Sequence, residues 1–571
     1  MKRKNVNWFR LFLVFLLVIL VSLVALFSCM RLSQFLHPSK YIASSSNTLE
    51  VKIPYKKHGE IEEEILYIPR GTEVELRESG KNSSTVKYDG REFEINNSYL
   101  ADSLEECIQV DYVYPRRLVN LRTEKAGALS DKVVEKGERV EVVSVSSEDL
   151  NTETGEIKWY QVQKGKKTYW LSGYYVETSK ELAEKKYGES VTYSTYWDDY
   201  FGDGYSQDAY IDQVDYKPFL QDIDYGDNQM ISNCNSVHVN LDYLVKYPDY
   251  YLSLKDTTGI NSICVEVKGD GGYIWYDSEV PENYMKDTSA VLGSTVATKK
   301  EMAKLFKKFQ DAGFYVIARI VTFKDGMFAE NNLDDALTNK DGTLYYHNEE
   351  YWPSAYSRNA WMYNVDIAKE VAQCNVNEIQ FDYVRFPDGT CYDAIDETID
   401  FKNTYNESKV AALQGFLMYA KEELVPYQVY LSADLFAWPV VAEDDQDIGQ
   451  FLCADAIVLD AVSPMPYTDH FSQGSMGIAD PTTEPEETLY QFSTRVKRQM
   501  SKITTNCLYR TWIQGYGDFT ADDVKAEING INRAGYEGYI VWFGNGSPDS
   551  LDINYTGYID SSLEKEEDTE D

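Results

Sequence analysis

The second half of the chain alternates apolar, strand-like runs with stretches of helical periodicity. The runs are rich in Val, Ile and aromatic residues, which favour pleated strands. They occupy residues 236–240, 262–270, 314–323, 378–386, 429–436, 456–465, 508–516 and 538–544. Between them apolar residues recur at helical spacing, as at Met302, Phe306 and Phe309. Eight successive strand–helix units predict an α/β fold, a (β/α)8 TIM barrel, over residues 231–560. A doubly wound open sheet is the alternative, but no GxGxxG turn follows any run.

Polar side chains interrupt these apolar runs on one face. Side chains alternate along a strand, so in "SICVEVKGD" Glu266 and Lys268 share the face opposite Ile263, Val265 and Val267. The same alternation isolates further polar residues late in the other runs, namely Arg319, Gln380, Asp382, Asp434, Asp460 and Gln514. Barrel interiors are normally filled by branched aliphatic residues. We therefore expect a polar site at the carboxyl ends of the strands, although each charge alone could belong to a structural salt bridge.

The stretch "NEIQFDYVRFPDG", residues 377–389, places an acid within an apolar strand. A buried carboxylate without a partner costs several kcal/mol or takes up a proton. Arg385 or Arg319 could hold Asp382 ionised. By contrast, Asp434 lies next to Leu435 and Phe436 in sequence, and an apolar environment raises the pKa of a carboxyl group.

The chain begins with a basic and then strongly apolar segment. Lys2, Arg3, Lys4 and Arg10 precede "LFLVFLLVILVSLVALFSCM", about 20 residues and long enough to cross a bilayer. Basic residues ahead of a span hold the amino terminus in the cytoplasm. Residues 1–30 are therefore predicted to form a single-pass membrane anchor with the rest of the chain outside the cell. A lipoprotein anchored through Cys29 is the alternative.

The region after the anchor is predicted to be mostly β-structure. After a linker at residues 31–49, residues 118–177 alternate strand patterns with turn signals at Gly137 and Gly165. The "NLR" start, the "KGERVEVV" pair, "WYQV" and "YWLSGYYV" resemble the bacterial SH3-like domain. We assign this domain to residues 108–178 and a fainter copy to residues 50–107. The resemblance implies binding to the cell wall, through its peptide or glycan; a spacer that binds nothing stays open.

Composition narrows the choice of function. The length of 571 residues predicts three or four domains. Their composition also indicates an acidic, tyrosine-rich linker at residues 179–230 and an acidic tail at residues 561–571. The formal net charge of −38 argues against nucleic acid as a partner. The five histidines lack metal-site spacing and the eight cysteines form no CxxC pair, so neither a metal nor a cofactor is predicted.

Several motifs in residues 236–545 occur together and in a fixed order: "IARIVTFKD", "NEIQFDYVRFP", "LSADLF", "DDQDIGQ" and "VSPMPYTDHF". Together they resemble a largely uncharacterised bacterial family of predicted glycoside hydrolases, often tethered to the membrane. The resemblance implies a TIM barrel related to α-amylases and α-galactosidases, with a carbohydrate substrate. This chain departs from the family in having Glu266 where aspartate is expected, Ala437-Trp438 in place of a Phe-Gly ending, and Asp469 where a serine usually precedes the histidine.

Glycoside hydrolysis uses one ionised and one protonated carboxyl group. We expect Asp382 to act as nucleophile or base and Asp434 as acid. Asp460 is the alternative acid, since related barrels place theirs on that strand. The residues expected to bind substrate are Glu266, Lys268, Arg319, Gln380, Arg385, Tyr467, His470, Gln514 and Trp542.

The sequence thus predicts a membrane-anchored enzyme that cleaves an envelope or extracellular polysaccharide, including peptidoglycan-type glycans. Two alternatives belong to other classes. One is a carbohydrate-binding protein on a barrel that has lost catalysis, and the other is a structural envelope protein whose polar residues form salt bridges.

Overall fold

The computed structural model describes residues 38–57, 60–186, 190–195, 208–217, 223–388, 390 and 398–554. The chain divides into two compact units, one up to Lys185 and one from Lys186. The predicted membrane anchor and the acidic tail lie outside the described residues. Within the described residues, none of the helices has the length and apolar character needed to span a bilayer.

The first unit is built from antiparallel strands and two short helices, Leu104–Cys107 and Lys180–Ala183. Its strands are β1 (Ser39–Ile42), β2 (Thr48–Lys57), β3 (Glu60–Pro69), β4 (Glu73–Ser79), β5 (Ser83–Tyr88), β6 (Arg91–Asn96), β7 (Leu100–Ala101), β8 (Tyr112–Pro115), β9 (Val119–Arg122), β10 (Leu129–Val134), β11 (Val140–Ser144), β12 (Trp159–Lys164), β13 (Lys167–Ser172) and β14 (Val176–Glu177). They form a five-stranded sheet in the order β6-β5-β4-β1-β7, a seven-stranded sheet in the order β10-β9-β13-β12-β11-β8-β14, and the hairpin β2-β3.

The predicted all-β character of this region is confirmed, while its relation to SH3-like domains and its wall binding stay predictions. The predicted linker at residues 31–49 needs a correction. Strand β1 pairs with β4 and β7, and Ile42 and Ala43 are fully buried. Residues from Ser39 onward are therefore part of the folded unit, because their apolar side chains complete its core.

The second unit contains a parallel sheet of nine strand segments. They are β15 (Asn235–Asn240), β16 (Ser262–Lys268), β17 (Tyr315–Val321), β21 (Glu378–Asp382), β23 (Tyr430–Phe436), β24 (Ala461–Met465), β25 (Leu508–Tyr509), β26 (Thr511–Gln514) and β27 (Tyr539–Trp542). Their order is β25-β24-β23-β21-β17-β16-β15-β27-β26. The short strands β18 (Thr338–Asn339), β19 (Tyr346–His347), β20 (Glu350–Tyr351) and β22 (Ile399–Asp400) lie in its connections.

The two ends of this order, β25 and β26, are separated in sequence by Arg510 alone. The Arg510 N–H donates to the carbonyl of Val462 on β24 at 3.0 Å, so the hydrogen-bonded ladder continues across the break. The sheet is therefore a nearly closed barrel with eight strand positions around its axis. This confirms the predicted mixed α/β, barrel-like architecture of this part of the chain.

Helices follow the strands and cover the outside of the barrel. They span Leu241–Lys246, Pro248–Thr258, Lys299–Asp311, Gly326–Asn331, Arg358–Ala372, Lys409–Leu424, Ala437–Ala442, Leu452–Ala456, Pro485–Met500, Ala521–Arg533 and Pro548–Asn554. Helix Lys299–Asp311 shows why the sequence folds this way. A capping box of Thr298 and Glu301 begins it, and its buried face carries Met302, Phe306 and Phe309.

Two predicted strands end or begin elsewhere. The run 378–386 stops at Asp382, because Tyr383 has a φ of 52° and leaves the extended conformation. In the run 456–465 the strand begins only at Ala461, and a helix, Leu452–Ala456, precedes it. Short apolar runs fit a buried helix as well as a strand, which is why periodicity misplaced this boundary.

The described parts of the predicted linker 179–230 include segments that pack on the barrel unit. The Tyr193 hydroxyl donates to Asp445 at 2.5 Å, and the Asp215 N–H donates to the Gln414 side chain at 2.8 Å. Val214 is buried between them and the barrel helices. Residues 190–195 and 208–217 are therefore part of the barrel unit.

Asp455, in the helix before β24, gives a test of this packing. Its buried carboxyl accepts the Phe451 N–H at 3.2 Å, and burial raises its pKa to about 8. Because the folded pKa lies above the unfolded value of about 4, the stability it contributes is complete below pH ~4 and is lost as pH rises to ~8. Asp455→Asn should therefore weaken the fall in unfolding free energy between pH 5 and pH 8, measured by urea denaturation of the full chain. Asp249→Asn, at an exposed position, is the control, and parallel curves for Asp455→Asn and wild type would refute the prediction.

Candidate active site

A cavity of about 630 Å³ opens at the carboxyl ends of the barrel strands. Seven residues predicted from the sequence line it: Glu266, Arg319, Asp382, Arg385, Tyr467, His470 and Trp542. Parallel strands all present their carboxyl ends at the same end of the barrel, so polar residues late in several strands converge there. The polar site predicted from the alternation pattern therefore exists as a cavity.

Arg319 lies at the centre of the floor of this cavity. Its guanidinium forms an ion pair with Glu266 on one side and with Asp382 on the other, and its Nε also donates to Asp382 Oδ2 at 3.1 Å. The strand register explains the meeting, because Arg319 on β17 lies directly opposite Glu266 on β16. Arg319 is only 4 % exposed, so these carboxylates, rather than water, compensate its charge.

Asp434 is the third carboxyl group near this guanidinium. Phe381 on β21 pairs with Ala433 on β23, which brings the next residues, Asp382 and Asp434, to the same level. Asp434 Oδ2 lies 3.8 Å from Arg319 Nε, and the Trp512 indole N–H donates to Oδ1 at 2.6 Å. Burial, together with the charge of Asp382, raises the pKa of Asp434 well above its ordinary value. This shift favours the protonated form of Asp434.

Burial also raises the pKa of Glu266, although the charge of Arg319 opposes this shift. The two acids differ in access, since Glu266 lines the cavity while Asp434 has no exposed surface. The structure thus brings Asp382 and Asp434 together as expected, but it encloses Asp434 beneath the cavity floor.

Asp460, the alternative acid, lies at the wrong end of the barrel. It directly precedes β24 and so sits at the amino end of that strand. There it forms an ion pair with Lys421 and accepts the Tyr225 hydroxyl at 3.0 Å and the Leu431 N–H at 2.8 Å. The expectation that it is catalytic is corrected, because the preceding residues, read from the sequence as strand, are partly helical.

Lys268 does not share the face of Glu266. Glu266 pairs with Arg319 and Lys268 pairs with Ile320, the next residue of β17, so β16 contains one extra residue between the two pairs. Lys268 therefore takes the same side as Ile320, which faces the helices. Its ammonium lies 2.8 Å from Asp325 Oδ2 and donates to Asn364 Oδ1 at 3.2 Å. The expected role in substrate binding is corrected, since a β-bulge reverses the alternation on which it rested.

Three other predicted residues take supporting positions. The Arg385 side chain lines the cavity but contacts Asp388 at 3.4 Å rather than Asp382. Gln380 lies one layer below the floor and donates to Ser463 at 3.2 Å. Gln514 accepts the Thr468 hydroxyl at 3.0 Å and so fixes the turn that carries Tyr467 and His470. Gln380 and Gln514 are not among the residues that line the cavity.

The sequence reading missed several cavity residues: Asn240, Asp270, Asn348, Tyr383, Gln450 and Asn545. Asn348, Gln450 and Asn545 lie in connections, where alternation gives no signal, whereas Asp270 and Tyr383 fall at the ends of predicted runs, beyond the last residues of β16 and β21. It also missed His238, which is buried behind Glu266 on β15. The pattern Val-His-Val in "SVHVN" could have indicated His238, since it occupies the interior face. Within the described part of the chain, no group of three or more His, Cys, Asp or Glu side chains is arranged to hold a metal ion.

This geometry places the second unit in the class of α/β barrel proteins with a carboxylate-lined mouth. The chain belongs to the family described as "Putative glycosyl hydrolase domain", whose model matches residues 238–547, more than half of the chain. The expected relation to glycoside hydrolases is confirmed at this level. No curated protein matches the chain.

Solved structures show more distant likenesses. A hypothetical protein from Ruminiclostridium thermocellum is 29% identical over 35% of this chain and 96% of its own, with a TM-score of 0.30. The PgaB (BpsB) glycoside hydrolase domain from Bordetella bronchiseptica is 16% identical over 55% of this chain and 96% of its own, with a TM-score of 0.39. The α-galactosidase TtGalA from Thermus thermophilus is 7% identical over 90% of this chain and 93% of its own, with a TM-score of 0.36.

The buried ion pair between Lys268 and Asp325 can be tested by a double-mutant cycle. Breaking a buried ion pair costs about 3–5 kcal/mol because the remaining charge is left uncompensated. Lys268→Met and Asp325→Asn should therefore each lower the unfolding free energy of the full chain, and the double variant should lose at least ~1 kcal/mol less than the two losses combined. Additive losses in urea denaturation would show that the two side chains do not interact.

Proposed function

We propose that this protein is a glycoside hydrolase that cleaves a polysaccharide. Two of its own carboxyl groups, at the barrel mouth, would catalyse the reaction. The observation that carries the proposal is the placement of Asp382 and Glu266 on opposite sides of Arg319 in the floor of one cavity. Hydrolysis of a glycosidic bond needs two carboxyl groups on either side of the bond. Membership of the glycosyl hydrolase family supports the same reaction.

Asp382 is suited to act as the ionised carboxylate. Arg319 donates to its Oδ2 from two nitrogens, and the Tyr383 N–H donates to Oδ1 at 2.5 Å. Each of these donors stabilises negative charge on the carboxylate. Asp382 would attack the anomeric carbon as a nucleophile, or activate a water molecule if the enzyme inverts.

The cavity walls suit a sugar substrate. A volume of about 630 Å³ lies within the range of small-molecule sites, roughly 300–1,000 Å³. The rings of Tyr467, Trp512 and Trp542 line it together with polar groups such as His470 and Asn545. Aromatic faces with a few hydrogen-bonding groups match the apolar faces and hydroxyl edges of pyranose rings. We therefore propose a glycan as the substrate.

The location of this glycan follows from the amino-terminal half of the sequence. The apolar segment after Lys2, Arg3 and Lys4 would anchor the chain in the cell membrane, with the barrel outside. The all-β region at residues 50–178 would bind the cell wall if it is a pair of SH3-like domains. An envelope or extracellular polysaccharide, including a peptidoglycan-type glycan, is then the substrate within reach.

Asp382→Asn tests the catalytic role. The amide keeps the size of the side chain but is neither a nucleophile nor a base, so hydrolysis by the purified full chain should fall about 10³-fold or more. Folding and glycan binding should persist, because Glu266 still pairs with Arg319. The measurement is the release of reducing ends from the glycan that the wild-type chain cleaves.

Glu378→Gln is the matched control. Glu378 lies four residues earlier on the same strand and is paired with Arg510 at 2.9 Å, away from the cavity. It should lose stability but keep activity per folded molecule. Asp382→Asn could instead behave like this control, losing stability while its folded molecules remain active. Asp382 would then be only a salt-bridge residue. Glycan binding by a wild-type chain that shows no hydrolysis would instead indicate a non-catalytic binding protein.

The membrane topology can be tested on intact cells. If the amino-terminal segment anchors the chain with its body outside, a protease added to whole cells should release the barrel into the medium. Deletion of residues 1–37, which precede the first described residue, should give a soluble chain with the same barrel. Complete protection of the barrel in intact cells, with cleavage after lysis, would place it inside instead.

A further inference from the structure

The proposed reaction needs a residue that donates a proton to the glycosidic oxygen. A general acid has to reach the glycosidic oxygen, so it must contact the cavity. The raised pKa of Asp434 suits an acid, but this side chain has no exposed surface, and Asp460 lies at the other end of the barrel. Glu266, beside Arg319 and opposite Asp382, does line the cavity. Access therefore favours Glu266 over both acids expected from the sequence.

His238 lies directly behind Glu266 and fixes the hydrogen-bonding character of that wall. Its Nδ1 lies 3.0 Å from the carbonyl oxygen of Gly544, and a carbonyl can only accept, so Nδ1 carries the hydrogen. In a neutral imidazole Nε2 is then an acceptor. This Nε2 is buried, has no hydrogen-bond partner among the described residues, and lies 3.8 Å from Glu266 Oε2.

The His238 ring is held neutral. Burial lowers its pKa well below the ordinary value, and the nearby charge of Arg319 lowers it further. A neutral ring cannot pair with an ionised Glu266, and its lone pair repels a carboxylate oxygen. It can, however, accept a hydrogen bond from a protonated carboxyl group. The unused acceptor therefore favours the form of Glu266 that carries a proton.

Some of the other groups around Glu266 stabilise its carboxylate, and others stabilise its protonated form. Arg319 favours the carboxylate, whereas burial and the charges of Asp270 and Asp382 favour the acid. The Trp275 indole N–H lies 3.4 Å from Oε1 and favours the carboxylate weakly. Arg319 also has to compensate the charge of Asp382, which accepts hydrogen bonds from two of the guanidinium nitrogens. One guanidinium cannot neutralise a second carboxylate fully, so Glu266 can hold a proton at the cavity wall.

We propose that Glu266 is the general acid of this enzyme and that neutral His238, directly behind it, is the positioning residue that favours its protonated form. The inference rests on the proposed hydrolase function and adds the proton donor to it. As the bond between the anomeric carbon and the glycosidic oxygen breaks, the oxygen keeps the electron pair and takes the proton of Glu266. An Asp382 oxygen forms an ester bond to the anomeric carbon.

Water then completes the reaction. The Glu266 carboxylate takes a proton from water as the water oxygen bonds to the anomeric carbon, and the ester bond breaks to restore the Asp382 carboxylate. Atoms and charges balance, and both carboxyl groups return to their starting forms.

Leaving-group dependence tests the role of Glu266. A dinitrophenyl glycoside needs no protonation of its leaving group, whereas a methyl glycoside of the same sugar does. For the full-length chain, Glu266→Gln should lower hydrolysis of the methyl glycoside, or of the natural polysaccharide, by about 10²-fold or more, with less than ~10-fold loss in the release of dinitrophenol. Asp434→Asn is the matched control, and it should lower both rates by the same factor. Equal losses for Glu266→Gln, or a selective loss for Asp434→Asn, would overturn the assignment.

The pH profile tests His238. Without the lone pair of His238 behind it, the carboxylate form of Glu266 is disfavoured less, so in His238→Phe the basic limb of kcat/KM should move to lower pH by about one pH unit. His238→Gln supplies an amide oxygen and should keep that limb closer to wild type. Circular dichroism confirms that each variant folds, and an unchanged basic limb in folded His238→Phe would refute the positioning role.

If Asp382→Asn abolishes hydrolysis while Glu266→Gln shows no selectivity, only this inference fails. If Asp382→Asn stays active, the proposed function itself fails.

Discussion

The buried guanidinium of Arg319 is the interaction on which the barrel mouth depends. A charge removed from water costs several kcal/mol unless partners compensate it. Here Glu266 and Asp382 form ion pairs with it, and Asp434 lies just beyond hydrogen-bond distance. Three acids around one cation leave an excess of negative charge, which is relieved when some of the acids hold protons. The arrangement therefore favours a protonated carboxyl group close to a carboxylate that is paired with the guanidinium.

Polar pairs continue below the mouth into the barrel interior. Below the Arg319 cluster, Gln380 bonds to Ser463 and accepts a contact from the Cys264 thiol at 3.0 Å. Deeper still, Arg510 pairs with Glu378 at 2.9 Å. Arg510 is also the residue at which the seventh strand position is interrupted. A polar interior has to be satisfied layer by layer, because a single unpaired group would leave its neighbours without partners. The lower layers thus hold in place the strands that carry the site.

Strand alternation predicted the convergence of Glu266, Arg319, Asp382 and Asp434, since the period of two is set by the backbone itself. It failed where the backbone departs from a regular strand. A bulge turns Lys268 outward, and a helix before β24 leaves Asp460 at the wrong end. Cavity residues in connections, such as Asn545, follow no period. The enclosure of Asp434 could not be predicted either, because burial depends on how Trp512 from a distant part of the chain packs over it.

The most direct test of the account is to incubate the purified full-length chain with a panel of polysaccharides and to measure new reducing ends. An Arg319→Met chain, checked for folding, serves as the comparison, because it removes the guanidinium that organises the three acids. The account predicts that the wild-type chain shortens at least one polysaccharide and that folded Arg319→Met does not. Equal release of reducing ends by both chains, or no release from any glycan by the wild-type chain, would contradict it.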